Sequence, residues 1–280
     1  MQPLFAIVHS RTYSEFSNRL PELYRPIKTF SVDALSVRVY HQELEMAKDA
    51  AYTIQEYLQN LITKQGKANI ILATGNSQIM FLRALISLGG IDWFKVTLFH
   101  LDEYLGISAD HPASFRYYLQ EKVEKFITPY QFHYIQGDTN EPLEECDRYT
   151  QLLSAQPIDL VFLGIGENGH LAFNDPLVAN FNDPRTVKLV KLDVTSRQQQ
   201  VNQGHFSHLD AVPQYAFTVT IPAICSAKRI FCLAPEKRKA EVVKDILYSP
   251  ISALYPASVL RQKSQATLFL DTNSASLISK

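Results

Sequence analysis

The chain has 280 residues, 46% apolar and 20% charged, with 27 Lys and Arg against 28 Asp and Glu. That length can bury an ample core in one large domain, or two at most, and the composition excludes disordered, collagen-like and low-complexity chains. A formal charge of −1 gives no electrostatic footprint for nucleic acid or an anionic membrane, so an anionic ligand must be held by local groups.

Three cysteines, Cys146, Cys225 and Cys232, form no CxxC pair and no metal-finger spacing. An odd, sparse set fits a reducing compartment, and a cytoplasmic protein is expected. The apolar stretch Leu4–Val8 is too short for a signal h-region and lacks a basic flank. No run reaches the ~18 apolar residues of a membrane span.

Residues 1–30, rich in Tyr, Phe, Arg and Pro, read as an N-terminal extension packed on a domain of residues 31–280. Ser36–Tyr40 has strand character, and helical apolar spacing runs from His41 to about Lys64 through Leu44, Ala47, Ala51, Ile54, Leu58 and Leu61. Ala68–Leu72 is a short apolar run of the kind buried in parallel sheets. A helix is expected over Gln78–Leu88, a strand over Lys95–His100 and a helix over Ser114–Phe126. A short strand at Tyr130–Ile135 precedes a helix over Glu141–Ala155. Strands at 158–163, 187–192, 216–221, 229–233 and 267–270 complete the set, with a late helix over Pro235–Tyr248. This alternation predicts an α/β fold: a single Rossmann-like, doubly wound, mostly parallel sheet with helices on both faces. Ligands of such sheets bind outside the C-terminal strand ends, so the residues that follow each strand carry the functional signal.

Thr74-Gly75-Asn76-Ser77 follows the strand at 68–72 and opens a helix. Exposed N–H groups at a helix start, a glycine turn and two hydroxyls can cradle an anion. The plain alternative is an ordinary turn with Ser77 as cap, and the Walker ending is missing. His100-Leu101-Asp102-Glu103 follows the strand at 95–100. Alternation puts His100 and Asp102 on one face, so a metal held by His100, Asp102 and His111 stands beside the reading of a solvated loop. Gly164-Ile165-Gly166-Glu167-Asn168-Gly169 matches GxGxxG in form, with Asp193 further on. The dinucleotide motif needs a helix of about three turns from its third glycine. Pro176 and Asn182-Asp183-Pro184 interrupt the chain too soon for one. What remains is a glycine turn presenting His170, with Asn168 and Asp175 nearby. A histidine beside an acid is a plausible acid/base unit, because its pKa of ~6.5 lies near working pH.

Together, Ala73–Ser77, Leu101–Gly106 with His111–Phe115, Gly164–Pro176, Val212–Thr220 and Pro256–Leu260 resemble the glucosamine-6-phosphate deaminase/isomerase family, which shares its fold with the 6-phosphogluconolactonases. The resemblance covers residues 31–272, and Tyr104 favours the deaminase branch over the lactonases, which carry arginine there. It implies an enzyme that converts an amino-sugar phosphate and water to a ketose phosphate and ammonia without metal or organic cofactor. Asp102 would be the base at C2. His170 would open the ring, with Asp175 and Asn168 supporting it. Thr74, Gly75, Asn76, Ser77, Glu103, Arg197 and Lys239 (or Lys237, if the helix start is counted differently) would hold the sugar phosphate. A lactonase, with His170 activating water, and an inactive sugar-phosphate-binding protein are the alternatives. Three departures stand out. Asp175 replaces the usual Glu, Asn168 stands where some members carry Asp, and no arginine lies near residues 202–206, where Arg197 would substitute. The allosteric residues of some relatives are unmatched, so no effector is expected. The family ranges from monomers to hexamers, which leaves a homo-oligomer open.

Overall fold

A computed structural model describes residues 24–278. Residues 1–23 of the expected extension lie outside the described residues. Strand β1 (Lys28–Val32) crosses the boundary placed at residue 30 and pairs antiparallel with β2 (Leu35–Tyr40). Helix α1 (Glu43–Gln65) turns its Met46, Ala47, Ala50, Ile54, Leu58 and Ile62 side inward, at the three- and four-residue spacing of one helix face. Strand β3 (Ala68–Leu72) is buried at every position, as a strand covered on both faces must be. The chain continues through α2 (Asn76–Leu88), β4 (Val96–His100), β5 (Asp102–Tyr104) and α3 (Phe115–Leu119). Next come β6 (Gln131–Phe132), α4 (Pro142–Ser154), β7 (Leu160–Leu163) and β8 (Val187–Lys191). Helix α5 (Val194–Asn202), β9 (Tyr215–Val219), α6 (Ile221–Cys225), β10 (Arg229–Leu233), α7 (Ala240–Tyr248) and β11 (Ala266–Asp271) complete it.

Eight strands form one sheet in the order β1-β2-β11-β10-β7-β3-β4-β6, and every pairing except β1–β2 is parallel. Successive strand residues point to opposite faces. Ile70 and Leu72 pack with α1, α2 and Leu119, while Ile71 packs with α4, α6 and α7. The sheet is therefore doubly wound and mostly parallel, as the alternation of elements predicts. From β3 the chain first moves outward to β4 and β6, then returns to the other side at β7. The switch point lies between β3 and β7, where such sheets leave a crevice.

Two expected strands lie elsewhere. β8 and β9 pair antiparallel with each other, and β9 pairs with β5, in a separate three-stranded sheet. The chain leaves the main sheet at Leu101, whose N–H donates to Leu72 O and whose carbonyl accepts from Val219 N. This second sheet has its own apolar core around Tyr104, Phe173, Val190, Phe206 and Ala216. The helix expected over 114–126 is α3 continued by one π-helical turn over Gln120–Glu124.

Candidate active site

One cleft gathers the C-terminal ends of four neighbouring strands: Ala73–Ser77 after β3, Leu101 and Asp102 after β4, Gly164–Gly166 after β7, and Pro235, Glu236, Arg238 and Lys239 after β10. His170 forms part of the wall. Pro112–Phe115 and Tyr118 close one side, and Gln199, Gln200, Gln203 and His205 close another.

Thr74, Gly75, Asn76 and Ser77 meet at the start of α2, with Gly75 as N-cap at φ 99° and no side chain capping the helix. Gln78 N–H closes on Gly75 O at 3.1 Å, so the Asn76 and Ser77 amides stay at the open, electropositive end. Lys239 is 6% exposed and has no ion-pair partner among the described residues. Burial and neighbouring Arg238 push its pKa down to about 8, against a smaller upward pull from Glu167 and Glu236. A poorly solvated cation that lines the same cleft as a helix N-terminus suits an anionic group.

Asp102 heads β5 opposite Thr218 of β9. The residue is 7% exposed and lines the cleft wall. Burial, and then the charge of Glu103, raise its pKa well above the usual carboxylate range. Fully buried His100 steadies it from behind. One ring nitrogen, Nε2, accepts from Ile135 N at 2.9 Å, so Nδ1 carries the proton and donates to Asp102 O at 2.9 Å. Burial holds His100 neutral, with its pKa lowered to about 3. Both ring nitrogens are occupied by backbone, and His111 Nδ1 accepts from Ala113 N. The ligand set of His100, Asp102 and His111 is not assembled, and no such cluster occurs among the described residues.

No helix opens at Gly169, and the segment to Asp175 is a series of turns with a Leu171–Asn174 bridge. Asp193, the acid in the nucleotide reading, is the N-cap of α5 and accepts from Ser196 N at 2.6 Å. His170 Nδ1 stands 2.9 Å from Asp175 Oδ1, although its ring N–H is not aligned on that oxygen. Nε2 has no hydrogen-bond partner among the described residues, and the residue lines the cleft. Asp175 Oδ1 also accepts from Ser196 Oγ at 2.6 Å and from Asn168 Nδ2 at 3.0 Å. Burial works to raise the Asp175 pKa, but His170, Ser196 and Asn168 together outweigh it and lower it. Thr218 Oγ1 accepts from Phe173 N and Asn174 Nδ2, so the residue facing Asp102 across the small sheet also anchors the His170–Asp175 segment.

Gly166 is dictated by the histidine. A Cβ there would stand 2.3–2.4 Å from the His170 ring, which leaves no room for alanine. Gly166→Ala should displace the ring and lower kcat by about 10²-fold, the scale of a misplaced catalytic group, with the melting temperature reporting that the fold survives. Backbone strain also gathers here. Of three non-glycine residues with positive φ among the described residues, Ala172 (52°) and Glu236 (81°) line the cleft, where such conformations tend to serve a site.

Two residues assigned to substrate binding from sequence do not reach the cleft. Glu103 is fully buried and accepts from Tyr104 N, Ser114 Oγ, Phe115 N and Arg116 N. Strand alternation turns it away from the face of Asp102, so it fastens the start of α3 to β5. Arg197 spends its guanidinium on Leu209 O at 2.6 Å and Val212 O at 3.0 Å. It pins the loop after α5 and cannot replace an arginine over the cleft. Sequence reasoning missed Arg238, which lines the cleft and is held by Glu236 and Glu167. The run Lys237-Arg238-Lys239 after β10 was the signal for it. It also missed Ser196, for which the Asp193-x-x-Ser196 capping pattern was the clue.

The family profile described as "Glucosamine-6-phosphate isomerases/6-phosphogluconolactonase" matches residues 41–269. A glucosamine-6-phosphate deaminase of Exiguobacterium sibiricum is 34% identical over 237 residues, covering 84% of this chain and 92% of that one. A solved monomeric glucosamine-6-phosphate deaminase superposes with a TM-score of 0.79 at 33% identity, covering 86% of this chain and 99% of its own. A 6-phosphogluconolactonase from Thermotoga maritima superposes with a TM-score of 0.69 at 19% identity, over 85% of this chain and 99% of that one, which speaks for the fold alone. With a matching profile across most of its length and relatives above 30% identity, this chain belongs to the glucosamine-6-phosphate isomerase/6-phosphogluconolactonase family.

Proposed function

We propose that this chain is an amino-sugar-phosphate deaminase/isomerase that converts glucosamine 6-phosphate, or its C4 epimer galactosamine 6-phosphate, and water to the ketose 6-phosphate and ammonia. The observation that carries this reading is Asp102. It is a nearly buried carboxylate with no side-chain hydrogen-bond partner among the described residues, and it shares a cleft with the His170–Asp175 pair. The relatives named as deaminases support the same substrate class.

The phosphate docks on the Asn76 and Ser77 amides, the Thr74 and Ser77 hydroxyls and Lys239. Anion, helix N-terminus and cation complement one another there. His170 Nε2 takes the anomeric hydroxyl proton and returns it to the ring oxygen, opening the sugar to its aldehyde. Asp175 orients the imidazole, and Asn168 and Ser196 hold Asp175. Asp102 then removes the proton from C2, the C1 oxygen takes a proton from the substrate's ammonium group to give an enolamine, and Asp102 delivers its proton to C1. The C2 imine so formed adds water and releases ammonia, giving the ketose phosphate. The substrate's own carbonyl takes up the developing charge. All these groups come from one chain, so the chemistry needs no second copy. The three cysteines are buried and unpaired, which suits the reducing cytoplasm, and no helix of the described residues is long and apolar enough to cross a membrane.

The experiment is direct. The purified protein is given glucosamine 6-phosphate, galactosamine 6-phosphate and 6-phosphogluconolactone in turn, with ammonia, ketose phosphate and acid measured. Ammonia released with ketose phosphate from a hexosamine phosphate is expected. Acid from the lactone without ammonia from either sugar would replace this reading with the hydrolase, and ligand binding with no turnover would replace it with a sugar-phosphate-binding protein.

A further inference from the structure

Gln78 is fully buried in the first turn of α2 and does not line the cleft. Its amide nitrogen lies 3.0 Å from Ser77 Oγ and 3.2 Å from the Leu163 carbonyl at the end of β7. A carbonyl only accepts, so Leu163 assigns the amide orientation, with the NH2 facing Leu163 and Ser77. One amide proton goes to each. Ser77 Oγ is therefore already an acceptor towards the protein interior, and its own hydroxyl proton has to point elsewhere. Packing leaves little slack around this pair. A Cβ on Gly164 would stand 3.0 Å from Ser77 Oγ and 3.6 Å from Gln78 Nε2. The Ser77 side is the cleft side, beside the open amides of α2.

We propose that Gln78 is a positioning residue that makes Ser77 a one-way donor, aiming its hydroxyl proton into the cleft at an anionic oxygen of the substrate phosphate. The proposal rests on the phosphate reading of Thr74–Ser77 given above and deepens it. An unprotonated phosphate oxygen accepts such a proton as a charge-assisted bond. A hydroxyl free to rotate would spread the same proton over several directions.

The test is a double-mutant cycle read by calorimetric titration with inorganic phosphate, which does not depend on turnover. In the wild-type background, Ser77→Ala should weaken phosphate about tenfold, the scale of one hydrogen bond to a charged group. Gln78→Glu keeps the volume and, as the carboxylate at alkaline pH, offers Ser77 only acceptors, so the hydroxyl turns inward. In that background Ser77→Ala should cost less than about twofold, and the added charge cancels because both members of the pair carry it. Gln78→Met serves as a second, uncharged background, in which the Ser77→Ala cost should fall to about threefold or less. Melting curves select the variants that fold. An equal cost of Ser77→Ala in all folded backgrounds would overturn the role of Gln78 and leave the phosphate loop standing. Phosphate binding untouched by Ser77→Ala in the wild type would overturn the aimed hydroxyl, and a wild type that binds no phosphate would overturn the phosphate reading of the loop as well.

Discussion

Asp102→Asn is expected to keep the fold and to lower ammonia release from glucosamine 6-phosphate by about 10²–10⁴-fold, the contribution of a positioned general base. The carboxylate is fixed by its backbone rather than by its own contacts. Leu101 carries the chain out of the main sheet, β5 pairs with β9, and the His100 ring donates to the Asp102 carbonyl. The side-chain oxygens are left for substrate. Burial and the Glu103 charge raise the pKa, which makes the anion a stronger base and moves its working range. The base acts only when ionised, so kcat/KM should fall as pH drops, from a higher pH than an ordinary carboxylate would give. Stability runs the other way. A carboxyl whose pKa rises on folding contributes fully below its unfolded value, about 3.9, and loses that contribution as pH rises through the folded value. At neutral pH, Asp102→Asn should melt at or above the wild-type temperature while activity collapses.

Asp175→Asn is the second large effect, with kcat expected to fall about 10²-fold because His170 loses the anion that orients its ring and sets its tautomer. Here the linkage has the opposite sign. His170, Ser196 and Asn168 lower the Asp175 pKa against its burial. A carboxylate with a depressed folded pKa stabilises the protein above its unfolded pKa, and that support is lost as pH falls through the folded one. Asp175→Asn should therefore lose activity and melting temperature together. Kinetics and melting curves of the two variants at neutral pH separate a desolvated, unpartnered base from a carboxylate held by hydrogen bonds that orients a ring. An Asp175→Asn protein with wild-type kcat would remove Asp175 from the mechanism.

The sheet was legible because its strands are short apolar runs. Ala68–Leu72 and Arg229–Leu233 fall where the pattern puts them. The second sheet was hidden for a physical reason. β5 is only Asp102–Tyr104, one residue beyond β4, and no periodicity marks a chain that leaves one sheet for another across a single leucine. Helix α5 was missed because Val194–Asn202 is almost wholly polar and buries only Ser196. At the site, Thr74–Ser77 and Asp102 directly follow β3 and β4, the positions the fold reserves for ligands, whereas His170 and Asp175 come seven and twelve residues after β7, on the turn segment, and of the two His170 lines the cleft. Glu103 and Arg197 misled because residue type alone does not reveal where a charge is spent. Glu103 serves the backbone of α3, and Arg197 serves two loop carbonyls. Tyr104, which favoured the deaminase branch by resemblance, packs among Phe115, Phe173 and Phe206. An arginine there would need a different local core, since this one is apolar.

Proton transfer from C2 by Asp102 is most directly tested with glucosamine 6-phosphate carrying deuterium at C2. Ammonia release is followed with time, and C1 of the ketose phosphate is examined by NMR. Turnover slowed severalfold relative to the unlabelled sugar, with deuterium recovered at C1, is the expected result. An Asp102→Asn protein that still releases ammonia and carries the label to C1 at the wild-type rate would contradict the assignment of Asp102 as the base.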